Sequence, residues 1–146
     1  MILKKIFIYF LFFLQILYSK ERFSHSGNVV FDFEKELIWE DQKNIKKANW
    51  IEANEYCKKL ELDGHLNWRL PHLHELESIY INENLNNKDW KINEVFNYTS
   101  RDWYWSKTKF HSNSMQSWLM RFYNSCGEIG LDLSFKHSVR CVKSIK

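Results

Sequence analysis

Four glycines and a single proline in 146 residues leave little backbone for cradling a phosphate, and neither a GxGxxG nor a GxxxxGK pattern is present. Nucleotide binding of the familiar kinds is excluded on that ground. The helical zinc signature is also missing, because His74-Glu75 is followed by Leu76-Glu77-Ser78 with no second histidine at the required interval. No run of one charge sign extends beyond a few residues, so nucleic-acid binding lacks its electrostatic footprint. Repeats and low-complexity linkers are absent. Cysteine is scarce: Cys57, Cys126 and Cys141 make an odd set with three possible pairings, and one thiol stays outside any pair.

What is abundant is apolar and aromatic. With 45% hydrophobic residues, among them 7 Trp, 7 Tyr and 11 Phe, the chain has the material for one compact domain with a real core. The N-terminus reads as an address: Lys4 and Lys5 precede an apolar run from Ile6 to Tyr18, broken only by Gln15, and Leu17-Tyr18-Ser19 ends in a small residue suited to cleavage. That run is short for a membrane span. Residues 1–19 are therefore expected to be an export signal, with an uncleaved anchor as the one route to membrane contact, and 20–146 a single domain, placed in the periplasm, at the cell surface or outside the cell. No cysteine follows the run, so lipidation there is not expected. Taking the leader's two lysines from the 21 Lys and Arg leaves 19 against 18 Asp and Glu, a formal net of about +1. The basicity of the whole chain belongs mostly to its leader.

Periodicity supplies the elements. Val29 to Asp41 reads as two strands joined by a charged turn at Glu34-Lys35-Glu36. Asn49 with Glu52 three positions on is a helix-start signature, and Trp50, Ala53, Cys57 and Leu60 form the apolar stripe of the helix that follows. A second helix is predicted from Pro71, with Leu73, Leu76 and Tyr80 facing inward and Ile79 alongside. After an asparagine-rich stretch from Asn82 to Ser100, residues 102–106, 117–122, 130–135 and 138–142 read as short strands. Strands, two helices and strands again define an α+β layout.

Several of these residues, taken in order, resemble a known family. The succession Leu37-Ile38-Trp39, Trp50-Ile51-Glu52-Ala53 with Tyr56-Cys57, Asn67-Trp68-Arg69-Leu70-Pro71 with Glu75-Leu76, Tyr104-Trp105-Ser106, Trp118, Phe122 and Val139-Arg140-Cys141-Val142 is similar to the Lcl C-terminal domain, from about Val29 to Lys143. This bacterial domain is named for the end of a collagen-like surface adhesin and is similar in fold to C-type lectin-like domains. The resemblance implies a C-type lectin-like fold and a bond between Cys57 on the first helix and Cys141 on the last strand. Cys126 is then a buried inert thiol, with disulfide exchange or a covalent dimer as the alternatives.

The stretch Asp63 to Ile79 carries His65, His72 and His74, which invites a metal reading. Two positions apart on a predicted helix, His72 and His74 should point to different faces, and no metal site is expected. The structural reading uses more of the residues: Trp68 and Leu70 turn into the core, Arg69 between them reaches Glu75 or Glu77, and Pro71 starts the second helix. Trp68, Arg69, Pro71 and Trp105 are accordingly expected to be structural.

No catalytic residue or cofactor is expected. Ser106, Ser117 and Ser134 lack a nucleophile elbow, and the two closely spaced thiols that bind copper in formylglycine-generating relatives of the lectin-like fold are missing, Cys126 and Cys141 being fifteen positions apart. The calcium-and-sugar motifs E-P-N, Q-P-D and W-N-D of true C-type lectins are absent as well. The expectation is an exported, non-enzymatic binding module whose partner, through the resemblance, is an acidic or neutral glycan or a surface protein, in an adhesion-like role. The alternatives are a periplasmic structural or accessory protein that binds an envelope protein and, ranked below it, a formylglycine-generating-enzyme-like catalyst. Recognition is expected on the connections of the later strands, where His111, Ser114 and Glu128 accompany the four expected ligand-binding residues, Asn113, Gln116, Tyr123 and Asn124.

Overall fold

Consecutive apolar residues such as Val29-Val30, Leu37-Ile38-Trp39 and Leu119-Met120 send successive side chains to opposite faces of a strand, so burying them requires cover on both faces. The computed structural model, which describes residues 21–81, 89–110, 115–123 and 127–146, meets that requirement with two sheets and two helices. The first sheet has the order β1 (Phe23–Ser26), β2 (Val29–Asp32), β3 (Leu37–Glu40) and β9 (Val142–Ser144), all antiparallel. In the second the order is β4 (Lys47–Ala48), β8 (His137–Ser138), β5 (Tyr104–Lys109), β6 (Gln116–Arg121) and β7 (Gly127–Asp132), with one parallel contact between β5 and β8.

Alternate strand residues feed two separate cores. Val29, Ile38, Trp105 and Leu119 meet Trp68, Leu70 and the residues Ala53 and Cys57 of α1 (Trp50–Lys59). Val30, Trp39, Tyr104 and Met120 meet Leu76 of α2 (Leu73–Ser78) together with Ile79 and Phe122. Each helix covers one core.

The N-terminal hairpin and α1 form as expected. Asn49 Oδ1 accepts the Glu52 N–H at 2.9 Å while Glu52 Oε2 accepts the Asn49 N–H at 3.2 Å, a closed capping box. Ala53 and Cys57 are buried, with Trp50 and Leu60 packed partly against the same cluster. Two strands escaped the periodicity: β1 alternates half-buried and exposed polar residues, and β4 has only two residues.

Two expectations need correction. The second helix begins at Leu73, with His72 as its N-cap, because the Pro71 carbonyl is bound by the Lys107 N–H at 2.7 Å and the Leu73 N–H by the Thr108 hydroxyl at 3.0 Å. It also ends at Ser78, so Tyr80 lies beyond it in a bridge with Ile92. Residues 138–142 are not one strand. Ser138 belongs to the second sheet and Val142 to the first, and Val139 to Cys141 carry the chain between them.

That passage holds the disulfide. Cys57 and Cys141 are bonded with Cα atoms 5.5 Å apart across a sequence separation of 84. Cys126 lies outside the described residues, as does the expected leader at 1–19, and among the described residues no helix is long and apolar enough to cross a membrane. By the chain-entropy model a loop of this size stabilises the fold by about 4.5 kcal/mol. Cys57→Ala should therefore lower the melting temperature by roughly 10 °C or more, as read by differential scanning calorimetry; an unchanged melting point would mean that the bond does not form in the protein.

Candidate functional site

The histidine-rich stretch resolves into a turn and a corner. Asp63 and Gly64 both have positive φ, 49° and 78°, the pattern of a type I′ turn, and Leu62 and His65 exchange backbone hydrogen bonds across it at 2.8 and 3.1 Å. His65 packs edge-on between Phe31 and Trp68, and its carbonyl accepts the Trp68 indole N–H at 2.9 Å. Trp68 and Leu70 are buried. Arg69 exchanges both backbone hydrogen bonds with Val142, so this segment extends the first sheet beyond β9.

The Arg69 guanidinium binds Glu75 through both nitrogens, at 2.8 and 2.7 Å; of its two expected partners, Glu75 is the one it meets. Glu75 also accepts the His72 N–H at 2.7 Å and so ties the corner to the start of α2. Burial raises the carboxyl's pKa, but the Arg69 bonds and the His72 N–H outweigh it and leave it below its ordinary value. Against expectation, the His72 and His74 rings stack with centroids 5.5 Å apart. His72 is the extended N-cap residue and not part of the helix, so the helical angle between them does not apply. Among the described residues no group of three or more His, Cys, Asp and Glu side chains is placed to hold a metal ion.

A second polar assembly lies inside the protein. The buried Asp41 carboxylate accepts the N–H groups of Asn97 and Tyr98 at 2.8 and 3.1 Å, lies 3.0 Å from His25 Nε2, and meets Arg140 Nη1 at 3.5 Å. Arg140 stacks on Phe96 and Tyr104 and donates to the Tyr98 carbonyl. Nearby, Glu40 accepts the Cys141 N–H at 2.8 Å and the Tyr56 hydroxyl at 2.6 Å. Burial, then the charge and hydrogen bond of Glu40, push the Tyr56 pKa up. Every one of these groups holds a loop or the sheet crossing in place.

One pair has the look of catalysis. Asp102 lies 3.1 Å from His137 Nδ1, yet the buried His137 Nε2 has no hydrogen-bond partner and the buried Ser138 hydroxyl has none either. Among the described residues no nucleophile is hydrogen-bonded to His137 Nε2 as an acyl-transfer site would need. Asp102 also pairs with Lys47 at 3.0 Å, and His137 packs on Trp105, whose indole donates to the Ala48 carbonyl at 2.9 Å. The pair fastens β4 and β8 to β5.

Of the expected ligand-binding residues, Asn113 and Asn124 lie outside the described residues, as do His111 and Ser114. Gln116 opens β6 and Tyr123 lies just past its other end, roughly 23 Å away at the rise of a strand. The structure does not bring those two together. It builds instead a surface around Tyr123. The Arg101 guanidinium lies 4.7 Å over the Tyr123 ring, the Arg121 guanidinium 4.8 Å over the Trp103 ring, and Trp90 meets Tyr123 edge-on at 5.0 Å. Arg101 is exposed and the other four are partly so. Neither arginine is paired with a carboxylate among the described residues, and Arg121 Nε is buried with no hydrogen-bond partner.

The sequence reading missed both arginines and both tryptophans. A signal was available: Arg101-Asp102-Trp103 and Arg121-Phe122-Tyr123 each place a guanidinium and a ring two apart, which sets them on one face of adjoining strand ends.

A model of the Lcl C-terminal domain matches residues 28–143, and the chain belongs to that family. A search of curated proteins found no match to it.

The corner carries two predictions in one variant series. Arg69→Ala should destabilise the fold by about 2 kcal/mol in denaturant titration, since it strands a mostly buried carboxylate. Because the Glu75 pKa is lowered on folding, its contribution is present above the ordinary carboxylate range and is lost as pH falls through the folded-state value. Glu75→Gln should therefore flatten the acid limb of the stability profile; an acid limb identical to that of the parent chain would remove Glu75 from that role.

Proposed function

We propose that this chain is an exported, non-enzymatic binding module of C-type lectin-like architecture that recognises an acidic glycan on the surface around Tyr123. The observation that carries the reading is the pair of stacked guanidiniums, Arg101 on Tyr123 and Arg121 on Trp103, with no carboxylate partner among the described residues. Guanidiniums offer forked donors to carboxylate, sulfate or phosphate, and the flanking faces of Trp90, Trp103 and Tyr123 suit the apolar side of a sugar ring. Stacking limits the motion of each guanidinium, so less entropy is lost on binding. The lectin-like architecture draws support from two helices laid against short antiparallel strands and from a cysteine of the first helix bonded close to the last strand. Export draws support from the apolar leader and from a disulfide that persists only outside a reducing compartment.

A second reading rests on a different surface. Ile51, Met115 and Phe135 are 64, 61 and 57% exposed, and the backbone bonds from Trp50 to Leu133 and from Leu133 to Met115 gather their three segments. Exposed apolar side chains on three neighbouring segments suit an envelope protein as partner.

Glycan-panel binding with the purified protein separates them. Arg101→Ala together with Arg121→Ala should abolish binding of acidic glycans, with a loss of at least tenfold, and should cost about 1 kcal/mol of stability. Acidic-glycan binding that survives the double variant, or is lost only with Ile51→Ser and Phe135→Ser, would place recognition elsewhere.

A further inference from the structure

The second sheet ends in a strand that most proteins would protect. Its other edge, β4, is two residues long and begins with Lys47, whereas β7 runs for six residues with no proline, no lysine and an unbroken register against β6 from Gln116↔Asp132 to Arg121↔Gly127. Short length, lysines, prolines and bulges are among the usual defences of a sheet edge, and β7 has none of these four, its charged positions being Glu128 and Asp132. Among the described residues no segment pairs with its outer side.

The direction of its unpaired groups follows from one bond. Gln116 gives its carbonyl to the Phe110 N–H on the β5 side at 3.1 Å, so Gln116↔Asp132 is a pair without mutual hydrogen bonds. Alternation then turns the N–H and C=O of Glu128 and Gly130 outward, with Ile129 between them. The Ile129 side chain is 37% exposed. At Gly130 any side chain would collide with the Phe110 ring, which covers that face of the strand and leaves the backbone edge without a side chain of its own there.

We propose that β7 pairs with β7 of a second copy of this chain about a twofold axis at Ile129. In that antiparallel register Glu128 of each copy exchanges both backbone hydrogen bonds with Gly130 of the other, and the two Ile129 side chains meet directly. A net charge near +1 without the leader opposes association only weakly. An axis normal to the sheet doubles the five-stranded sheet and turns the two Arg101–Arg121 surfaces to the same side, since Ile129 lies across from Leu119, two residues from Arg121. One dimer then presents two copies of that surface to a polyvalent partner. The pairing itself does not depend on what the surface binds.

The test is sedimentation velocity on the protein carrying its own N-terminus, purified as the cell delivers it, with thermal melts as the folding control. A dimer is expected at concentrations on the order of 0.1 mM. Ile129→Lys should raise the dimer dissociation constant at least tenfold with the melting temperature of the fold retained. In a Cys126→Ser background, Ile129→Cys should form a covalent dimer under mild oxidation, because only this register sets the two positions opposite, while Lys136→Cys should not. A protein that stays monomeric, a dimer unmoved by Ile129→Lys, or cross-linking no greater through Ile129→Cys than through Lys136→Cys would each overturn the pairing.

Discussion

Between Ser138 and Val142 the chain leaves one sheet and enters the other, and the whole arrangement depends on that crossing being held. Contacts from several separate segments hold it. Cys141 is bonded to Cys57 of α1, its N–H is taken by the Glu40 carboxylate, Arg140 meets Asp41, and Val142 exchanges backbone bonds with Arg69. A buried carboxylate is expensive unless its lone pairs are filled, and here each filled lone pair fixes another piece of chain. Asp41 in this way sets the backbone at Asn97 and Tyr98, while Glu40 sets Tyr56 on the helix.

The crossing explains why the protein uses so many aromatic residues. Two sheets covered on both faces produce two cores, each thin, and large rings such as Trp39, Trp105 and Tyr104 fill them from few positions. Little of the fold remains for a deep cleft. A broad depression of about 680 Å³ beside α1 is lined by four Lys and three Glu side chains together with Tyr56 and Leu60. The proposed recognition surface at Arg101 and Arg121 and the proposed pairing edge β7 accordingly lie at strand ends and at a sheet edge.

Local pattern was a good guide wherever neighbours in sequence decide the structure. The capping box at Asn49 and Glu52, the stripe through Ala53 and Cys57, the hairpin from Val29 to Glu40 and the burial of Trp68 and Leu70 around Arg69 were all legible, because each needs only residues within one turn or one strand. The second helix was misplaced by two residues because Thr108 and Lys107, more than thirty positions away, compete for the backbone at Pro71 and Leu73. The stacking of His72 on His74 was misjudged for the same reason: an extended N-cap replaces a helical position.

By itself, then, the sequence determined the α+β class, the start of the first helix and family membership, since these reside in short-range periodicity and in ordered motifs. The tertiary structure alone decided that residues 138–142 belong to two sheets, that Glu75 and not Glu77 receives Arg69, and that Arg101 and Arg121 reach the rings of Tyr123 and Trp103. Those are partnerships across neighbouring strands and distant segments. Their choice rests on register and on which buried charge must be satisfied, and a one-dimensional pattern encodes neither.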